Sequence, residues 1–133
     1  MVFRITRPRR FGKTLNLNMI DAFFNLKYKG NTWFNGLSIS SDLESMKEMN
    51  SYPVIKLSLK DLGCRDMDTF LDKFSRQIKR VCLEFRHILN SDIDGVVLER
   101  FRALSNGIVD RIALEQSLKD ISEAIRTHHG RKV

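Results

Sequence analysis

The sequence predicts an α/β fold in which a short parallel sheet is joined to a large helical block. Residues 2–5, Val-Phe-Arg-Ile, form an apolar segment that leads into a basic turn and then into a helical pattern. Residues 54–59 form a second predicted strand, with Ile55, Leu57 and Leu59 on one face. A helix between two strands predicts a right-handed crossover and therefore parallel strands. From residue 66 onwards the apolar periodicity is helical, which predicts the helical block.

The loop after the first predicted strand is the most informative stretch of the chain. Residues 7–14 read Arg-Pro-Arg-Arg-Phe-Gly-Lys-Thr and lead into a helical pattern. A strand, a tight loop and a helix start let backbone N–H groups converge on one oxyanion, as in phosphate-binding loops. Gly12, Lys13 and Thr14 match the end of the Walker A pattern G-x-x-x-x-G-K-[ST], in which Lys reaches the β/γ-phosphates and the hydroxyl binds Mg²⁺. We therefore predict a partial P-loop NTPase-like domain, although Arg7 replaces the first glycine and a basic surface turn is the alternative.

The first half of the chain predicts one long helix and a series of connecting segments. Residues 14–27 have apolar side chains at helical spacing, which predicts a packed helix. These side chains are Leu15, Met19, Ala22, Phe23 and Leu26. Residues 28–31 indicate a turn, and Trp33 and Leu37 are the expected core anchors of the segment that follows. Ser41 is the predicted cap of a short helix over residues 42–49, with Glu44 three positions later.

The second half predicts three helices. Residues 66–89 carry the clearest apolar stripe of the chain at steps of three and four. The second and third helices are indicated by two apolar series: Val97, Phe101, Leu104 and Ile108, then Leu114, Leu118, Ile121 and Ile125. Basic residues between 73 and 86 are interspersed with acidic ones, so a solvated face is favoured there over a nucleic-acid surface.

Positive charge is concentrated at the proposed phosphate loop. The chain has a net charge of +7 from 23 basic and 16 acidic residues. Five of the basic residues fall within ten positions: Arg4, Arg7, Arg9, Arg10 and Lys13. Without these five, the chain has 18 basic residues (23 − 5) and 16 acidic ones, so the charge of the rest of the sequence is nearly balanced. Such a focused potential attracts a polyanion, and a nucleotide and a nucleic-acid backbone both satisfy it.

Cysteine, histidine and hydropathy patterns predict neither a disulfide framework nor a metal site. Cys64 and Cys82 are too few for a disulfide framework, and Cys82 falls on an apolar helical face. His128 and His129 invite a metal interpretation, but a solvated helix end is favoured, and His87 is placed on a helix surface.

No apolar run approaches the roughly 20 residues of a membrane span. With no secretory h-region, we expect no membrane partner and a cytoplasmic location.

The residues of the loop and the helix after it resemble a known family. Residues 5–15, followed by residues 16–19 and by Phe23 and Phe24, look like the opening motif of the predicted AAA-ATPase-like family. Arg7 at the first-glycine position is usual in that family. Residues 34–39 and 52–58 resemble its next two landmarks. In many members the P-loop domain is joined to a C-terminal domain of the PD-(D/E)XK nuclease type, which would add nucleic acid as a partner.

The resemblance implies ATP and Mg²⁺ as ligands. Lys13 would contact the β/γ-phosphates and Thr14 would coordinate the Mg²⁺ of the bound nucleotide, while the backbone of residues 10–15 would cradle the phosphates. Arg7, Arg9 and Arg10 would reach phosphate or support the loop, without individual roles assigned. The predicted nucleotide-binding set is Arg9, Arg10, Phe11, Gly12, Lys13, Thr14 and Leu15. No catalytic residue is assigned.

The resemblance also implies a missing acidic motif. In the family, a basic segment such as residues 131–133 leads into an apolar strand that ends in Asp-Glu, which helps to hold Mg²⁺ and position water. We therefore expect residues 1–133 to be one incomplete domain, a fragment or truncated paralogue that binds nucleotide and hydrolyses it poorly alone. A nucleic-acid-binding module using the arginine-rich N-terminus and a non-functional fragment are the alternatives.

Overall fold

A computed structural model describes residues 12–107 and 110–133, and it overturns the predicted sheet. Helices make up 67% of this part of the chain, which contains no β-strand or sheet. An isolated parallel bridge between Asn25 and Tyr52 is the only β pairing within these two ranges. The α/β prediction with a short parallel sheet was therefore wrong for the described chain. The predicted strand at residues 2–5 lies outside the described residues.

The second predicted strand, residues 54–59, is irregular backbone. Ile55 and Leu57 pack against an apolar core, whereas Lys56 and Ser58 are exposed. The predicted apolar face is therefore correct for Ile55 and Leu57. Leu59 is 64% exposed and departs from it. A β-strand also needs a neighbour whose N–H and C=O groups pair with its own. Within the described ranges no neighbouring strand supplies that ladder.

Helices are the regular elements of the described chain. The α-helices are α1 Lys13–Phe24, α2 Leu43–Lys47, α3 Met67–Glu84, α4 Gly95–Asn106 and α5 Arg111–His129. Short 3-10 helices cover Leu26–Tyr28, Ser38–Ser41, Lys60–Leu62 and Arg86–Asn90. The predicted helices at residues 14–27, at residues 66–89 and around the two later apolar series are thereby confirmed, with their ends shifted by a few residues. No helix in this part of the chain has the length and apolar character needed to span a bilayer.

The chain divides into two compact units, Met1–Val54 and Ile55–Val133. In the first unit Phe23 on α1 makes edge-to-face contacts with Phe24 and Phe34, at centroid distances of 5.0 and 5.1 Å. Phe34 is therefore the buried anchor of the segment after α1. The predicted anchors were wrong, because Trp33 and Leu37 are 60% and 50% exposed.

The end of α1 is joined to residues 50–52 by backbone hydrogen bonds. Asn50 N–H donates to the Phe23 carbonyl at 2.7 Å, and Tyr52 N–H donates to the Phe24 carbonyl at 3.0 Å. Leu26 N–H in turn donates to the Tyr52 carbonyl at 2.8 Å. These bonds satisfy backbone groups that the helix end leaves without partners.

The cap of α2 lies one residue later than predicted. Asp42, not Ser41, is its N-cap, and the Asp42 carboxylate accepts from Glu44 N–H at 3.2 Å. It also accepts from the Ser45 hydroxyl at 2.6 Å. Ser41 instead ends the preceding 3-10 helix, where its hydroxyl donates to the Ser38 carbonyl. A carboxylate suits this position because it also interacts favourably with the positive end of the helix.

The second unit is built around α3, α4 and α5. Their apolar stripes meet in one core that also includes Ile88 from the 3-10 helix Arg86–Asn90. The buried side chains of this core are Ile78, Val81, Cys82, Ile88, Phe101, Leu104, Leu114, Ile121, Ala124 and Ile125. Two stripe residues depart from the prediction: Met67 is 58% exposed and Leu118 is 39% exposed. Ile108 lies outside the described residues.

Candidate functional site

The described part of the predicted phosphate loop begins at Gly12. Gly12 has φ +70° and ψ 18°, a left-handed conformation, and α1 starts at the next residue, Lys13. The Gly12 carbonyl accepts the first backbone bond of the helix, from Asn16 N–H at 2.9 Å. Glycine adopts this conformation readily, whereas other residues pay a steric penalty. Arg9, Arg10 and Phe11 lie outside the described residues.

Lys13, Thr14 and Leu15 form the first turn of α1, and all three are exposed. The first backbone N–H groups of any α-helix have no partner within the helix. Here the N-cap is a glycine, which offers no side-chain acceptor, and the first turn contains no acidic residue. This turn therefore combines the positive end of the helix dipole with the Lys13 ammonium group.

The other α-helices of the described chain begin differently. Each has an aspartate at its N-cap whose carboxylate accepts a hydrogen bond from the first turn. Asp42 accepts from Glu44 N–H, Asp66 from Thr69 N–H, Asp94 from Val96 and Val97 N–H, and Asp110 from Ala113 N–H. A carboxylate fills the position that an external anion would take. Among these helices, α1 alone has an N-cap with no anionic side chain.

The chemistry available at the start of α1 is that of anion binding. Backbone N–H groups and a lysine ammonium are donors for phosphate oxygens, and the Thr14 hydroxyl is an oxygen ligand of the kind that Mg²⁺ accepts. A nearby carboxylate that could act as a general base is not found in this first turn. The local arrangement is thus suited to binding phosphate rather than to activating water by itself.

The apolar side of α1 is less buried than its spacing predicted. Leu15 and Met19 are 63% and 48% exposed, which contradicts their assignment to a packed stripe. Phe23 is buried, and Ala22 and Leu26 are half-buried. Packing of α1 within its own unit is therefore concentrated at its C-terminal end, whereas its N-terminal turns carry exposed apolar side chains.

A groove of about 300 Å³ lies in the first unit, alongside the second half of α1. Its lining residues are Met19, Ile20, Phe23, Phe24, Phe34, Ile39, Ser45 and Glu48. Apart from Ser45 and Glu48 the lining is apolar, and its one ionisable group is an acid. The groove lining therefore contains no cationic side chain that could bind a phosphate group.

Three histidines lie close together in the second unit. The sequence did not predict this proximity. His87 belongs to the 3-10 helix Arg86–Asn90, and His128 and His129 belong to the last turn of α5. One ligand atom from each histidine lies within 4.8 Å of those of the other two. Gly130, with φ +63°, ends α5 directly after His128 and His129. The predicted solvated helix end was only partly right, because His128 and His129 are half-buried beside His87.

The close approach of the imidazoles affects their protonation. Partial desolvation, and next the positive charge of His128, lower the pKa of His87. The pKa of His129 is lowered first by burial and then by the charges of His128 and His87. Three positively charged rings at these distances would repel one another, so the arrangement disfavours a fully protonated cluster.

The two cysteines have opposite environments. Cys82 is fully buried in the core of the second unit, and burial raises the pKa of its thiol to about 12. This confirms the prediction that it acts as a small hydrophobic residue. Cys64 is exposed, and its thiol donates to the Leu62 carbonyl at 3.1 Å. Neither thiol belongs to the group of side chains in the described chain that lie close enough together to hold a metal ion.

The chain was compared with family models, curated proteins and solved structures. The family model described as "Predicted AAA-ATPase" matches residues 1–133. No curated protein and no solved structure gives a significant match. The match extends over the whole chain, including the loop and α1.

Proposed function

Because the chain belongs to the predicted AAA-ATPase family, we propose that it binds ATP with Mg²⁺ through the loop and first helical turn at residues 9–15. The observation that carries this proposal is the start of α1. A left-handed Gly12 stands directly before Lys13 and Thr14, and neither an N-cap carboxylate nor a first-turn acid occupies the anion position there. Family membership suggests that the bound anion is a nucleotide. The geometry at the start of α1 supports contact with the phosphate groups of that nucleotide.

Each residue of the set has a chemical role in this proposal. The Lys13 ammonium contacts the β- and γ-phosphates, and the N–H groups of residues 12–15 donate to phosphate oxygens. The Thr14 hydroxyl binds the Mg²⁺ that accompanies the nucleotide. Arg9 and Arg10 add positive charge, and Phe11 completes the loop before Gly12. Bound Mg²⁺ would neutralise charge on the phosphates.

Hydrolysis by the 133-residue chain alone is proposed to be slow. Phosphoryl transfer to water needs groups that hold Mg²⁺ and position the attacking water. The acidic motif that the family resemblance implies is Asp-Glu, and the 133 residues contain no Asp-Glu dipeptide. The proposed role of these 133 residues is therefore nucleotide binding in the cytoplasm, and hydrolysis would also require acidic groups that hold Mg²⁺ and position water.

Calorimetric titration of the full chain with ATP in the presence of Mg²⁺ tests the proposal. Lys13→Ala should weaken binding about tenfold or more, because it removes a charge-assisted hydrogen bond to phosphate. Lys29→Ala is the matched control, since it removes the same charge from another exposed position of the first unit. Equal affinities for the wild type, Lys13→Ala and Lys29→Ala would rule out this site.

The metal role of Thr14 needs a separate comparison. Thr14→Ala should reduce the difference between ATP affinity with Mg²⁺ and with a chelator, while Thr32→Ala, at another exposed position, should not. An unchanged Mg²⁺ dependence of ATP affinity in Thr14→Ala would show that Thr14 is not a ligand of the metal. The phosphate contacts of Lys13 would still be tested by the first experiment.

A nucleic-acid-binding module is the second candidate, and the charge distribution favours it. Arg4, Arg7, Arg9, Arg10 and Lys13 are five cations without an intervening acid. Binding through phosphate contacts weakens steeply as salt rises. Arg9→Ala combined with Arg10→Ala should then reduce DNA affinity and flatten its salt dependence, whereas the exposed pair Arg80→Ala and Arg86→Ala should not. An unchanged DNA affinity when Arg9→Ala and Arg10→Ala are combined would exclude this candidate.

A further inference from the structure

All three histidines of the chain lie together in the second unit. The sequence contains three histidines in 133 residues, and His87 and His129 are 42 positions apart. Two separate elements bring them together: the 3-10 helix Arg86–Asn90 and the last turn of α5. His87 is exposed and the other two are half-buried, so an ion in solution can reach the cluster.

The spacing of the ring nitrogens suits coordination of one ion. The Nε2 atoms of His87 and His129 are 3.4 Å apart. Two ligands at tetrahedral positions on zinc, each about 2.0–2.1 Å from the metal, are about 3.4 Å from one another. At 3.4 Å a hydrogen bond between the rings would be long, since N–H donors usually lie about 2.9–3.0 Å from their acceptors. One ligand atom of each histidine lies within 4.8 Å of those of the other two, so the three imidazoles are close enough to share one ion.

The ligand set also selects the class of ion. It contains three imidazoles and neither a carboxylate nor a thiolate. Imidazole nitrogens suit Zn²⁺, Cu²⁺ and Ni²⁺, whereas Mg²⁺ and Ca²⁺ require oxygen ligands. Three histidines also leave a fourth tetrahedral position for water or an external ligand.

We propose that His87, His128 and His129 form a three-histidine site for a divalent transition-metal ion, with zinc as the best-fitting ion. The bound ion joins the 3-10 helix Arg86–Asn90 to the end of α5 and so stabilises the second unit. This site is separate in its residues from the loop proposed to bind nucleotide, and the inference does not depend on that function.

Zinc titration of the full, untagged chain without nucleotide tests the site. In a Cys64→Ser background, which removes the exposed thiol as a competing ligand, calorimetry should give one zinc per chain. His87→Gln, His128→Gln and His129→Gln should each weaken binding about tenfold or more, a loss at least as large as that caused by removing a supporting group around a metal. Thr127→Ala, next to the pair on α5, is the control and should retain wild-type affinity. Equal zinc affinities in Thr127→Ala and all three histidine variants would overturn the proposal.

A spectroscopic measurement covers the case in which a histidine variant does not fold. Long-range proton–nitrogen NMR spectra of the Cys64→Ser chain report on all three imidazoles at once. Added zinc should shift the ring resonances of all three histidines and saturate at one equivalent, while equimolar Mg²⁺ should shift none. Ring resonances that do not change with zinc would overturn the proposal without any histidine substitution.

Discussion

Asn31 donates from Nδ2 to Oδ1 of Asn50 at 2.7 Å, and this contact orients the Asn50 amide toward the C-terminal end of α1. The Asn50 Nδ2 group donates to the carbonyls of Ala22, Phe23 and Asn25 at 2.9, 3.1 and 3.0 Å. The last carbonyls of a helix have no intrahelical partners. A buried asparagine side chain therefore supplies the cap that closes α1, from a position far along the sequence.

Asn50 should be a sensitive position for the stability of the first unit. It is 4% exposed and has φ +49°, which asparagine tolerates better than most residues. Asn50→Gly keeps the backbone conformation available and removes the hydrogen bonds, so the free energy of unfolding should fall by about 1–3 kcal/mol. Asn50→Ala should cost more, because a Cβ-bearing side chain without a polar group adds strain at positive φ.

Urea unfolding followed by tryptophan fluorescence measures this effect. Trp33, the single tryptophan of the chain, lies in the same unit as Asn50. Asn35→Gly, at an exposed position, controls for the flexibility that glycine adds to the unfolded chain. If Asn50→Gly and Asn35→Gly unfold at the same urea concentration, the side-chain cap contributes nothing measurable.

Gly12 should matter for ligand binding through its backbone conformation. A Cβ at this position meets no atom within 4 Å, so the penalty for a side chain comes from φ +70°. Gly12→Ala should therefore weaken binding of ATP with Mg²⁺ in a calorimetric titration, and Gly12→Asn should weaken it less, since asparagine visits the left-handed region more readily. Gly63→Ala, at φ −56° and also in open space, is the control. Equal affinity in Gly12→Ala and Gly63→Ala would show that the left-handed turn is not required for binding.

Asp66 should make the stability of α3 dependent on acid pH. Its carboxylate accepts from Thr69 N–H at 2.7 Å, and this backbone bond, followed by the Thr69 side chain, lowers the pKa of Asp66 below the usual value of an aspartate. Because the folded pKa is below the unfolded value, the ionised group stabilises the fold above the unfolded pKa, and this contribution is lost as the pH falls through the folded pKa.

Asp66→Asn keeps a capping acceptor but cannot ionise, so it isolates this pH dependence. The unfolding free energy of the wild type should exceed that of Asp66→Asn near neutral pH, and the difference should shrink as the pH falls below about 4. Urea unfolding followed by far-ultraviolet circular dichroism over this range is the measurement. Gln116→Ala, an exposed substitution without an ionisable group, should differ from the wild type by a constant amount. A pH-independent difference for Asp66→Asn would contradict the prediction.

Thiol labelling should separate the two cysteines. Cys64 is exposed, whereas Cys82 is fully buried with a thiol pKa raised to about 12 by burial. A thiolate is the reactive form, so native protein should react with one equivalent of a disulfide reagent and unfolded protein with two. In Cys64→Ser the native chain should show almost no rapid reaction. Fast labelling of native Cys64→Ser would mean that the core around Cys82 opens readily.

Several elements were predictable because their causes are local. The apolar spacing of residues 66–89 and 114–125 indicated α3 and α5, and α5 ends at the expected helix end at His128 and His129. Gly12, Lys13 and Thr14 were recognised as a motif, and the structure begins α1 at Lys13. The nucleotide-binding roles of these residues stay a prediction. Local signals were weaker for anchors, since Trp33 and Leu37 proved exposed while Phe34 is buried.

The sequence by itself determined the approximate positions of the long helices and the membership of the predicted AAA-ATPase family, because periodicity and motifs act over a few neighbouring residues. Tertiary structure alone decided that residues 54–59 join no sheet in the described chain, that Asn50 caps α1, and that His87 meets His128 and His129. Each of these depends on contacts between residues far apart in the sequence. Such contacts depend on how distant segments of the chain pack, and local sequence patterns do not predict this packing.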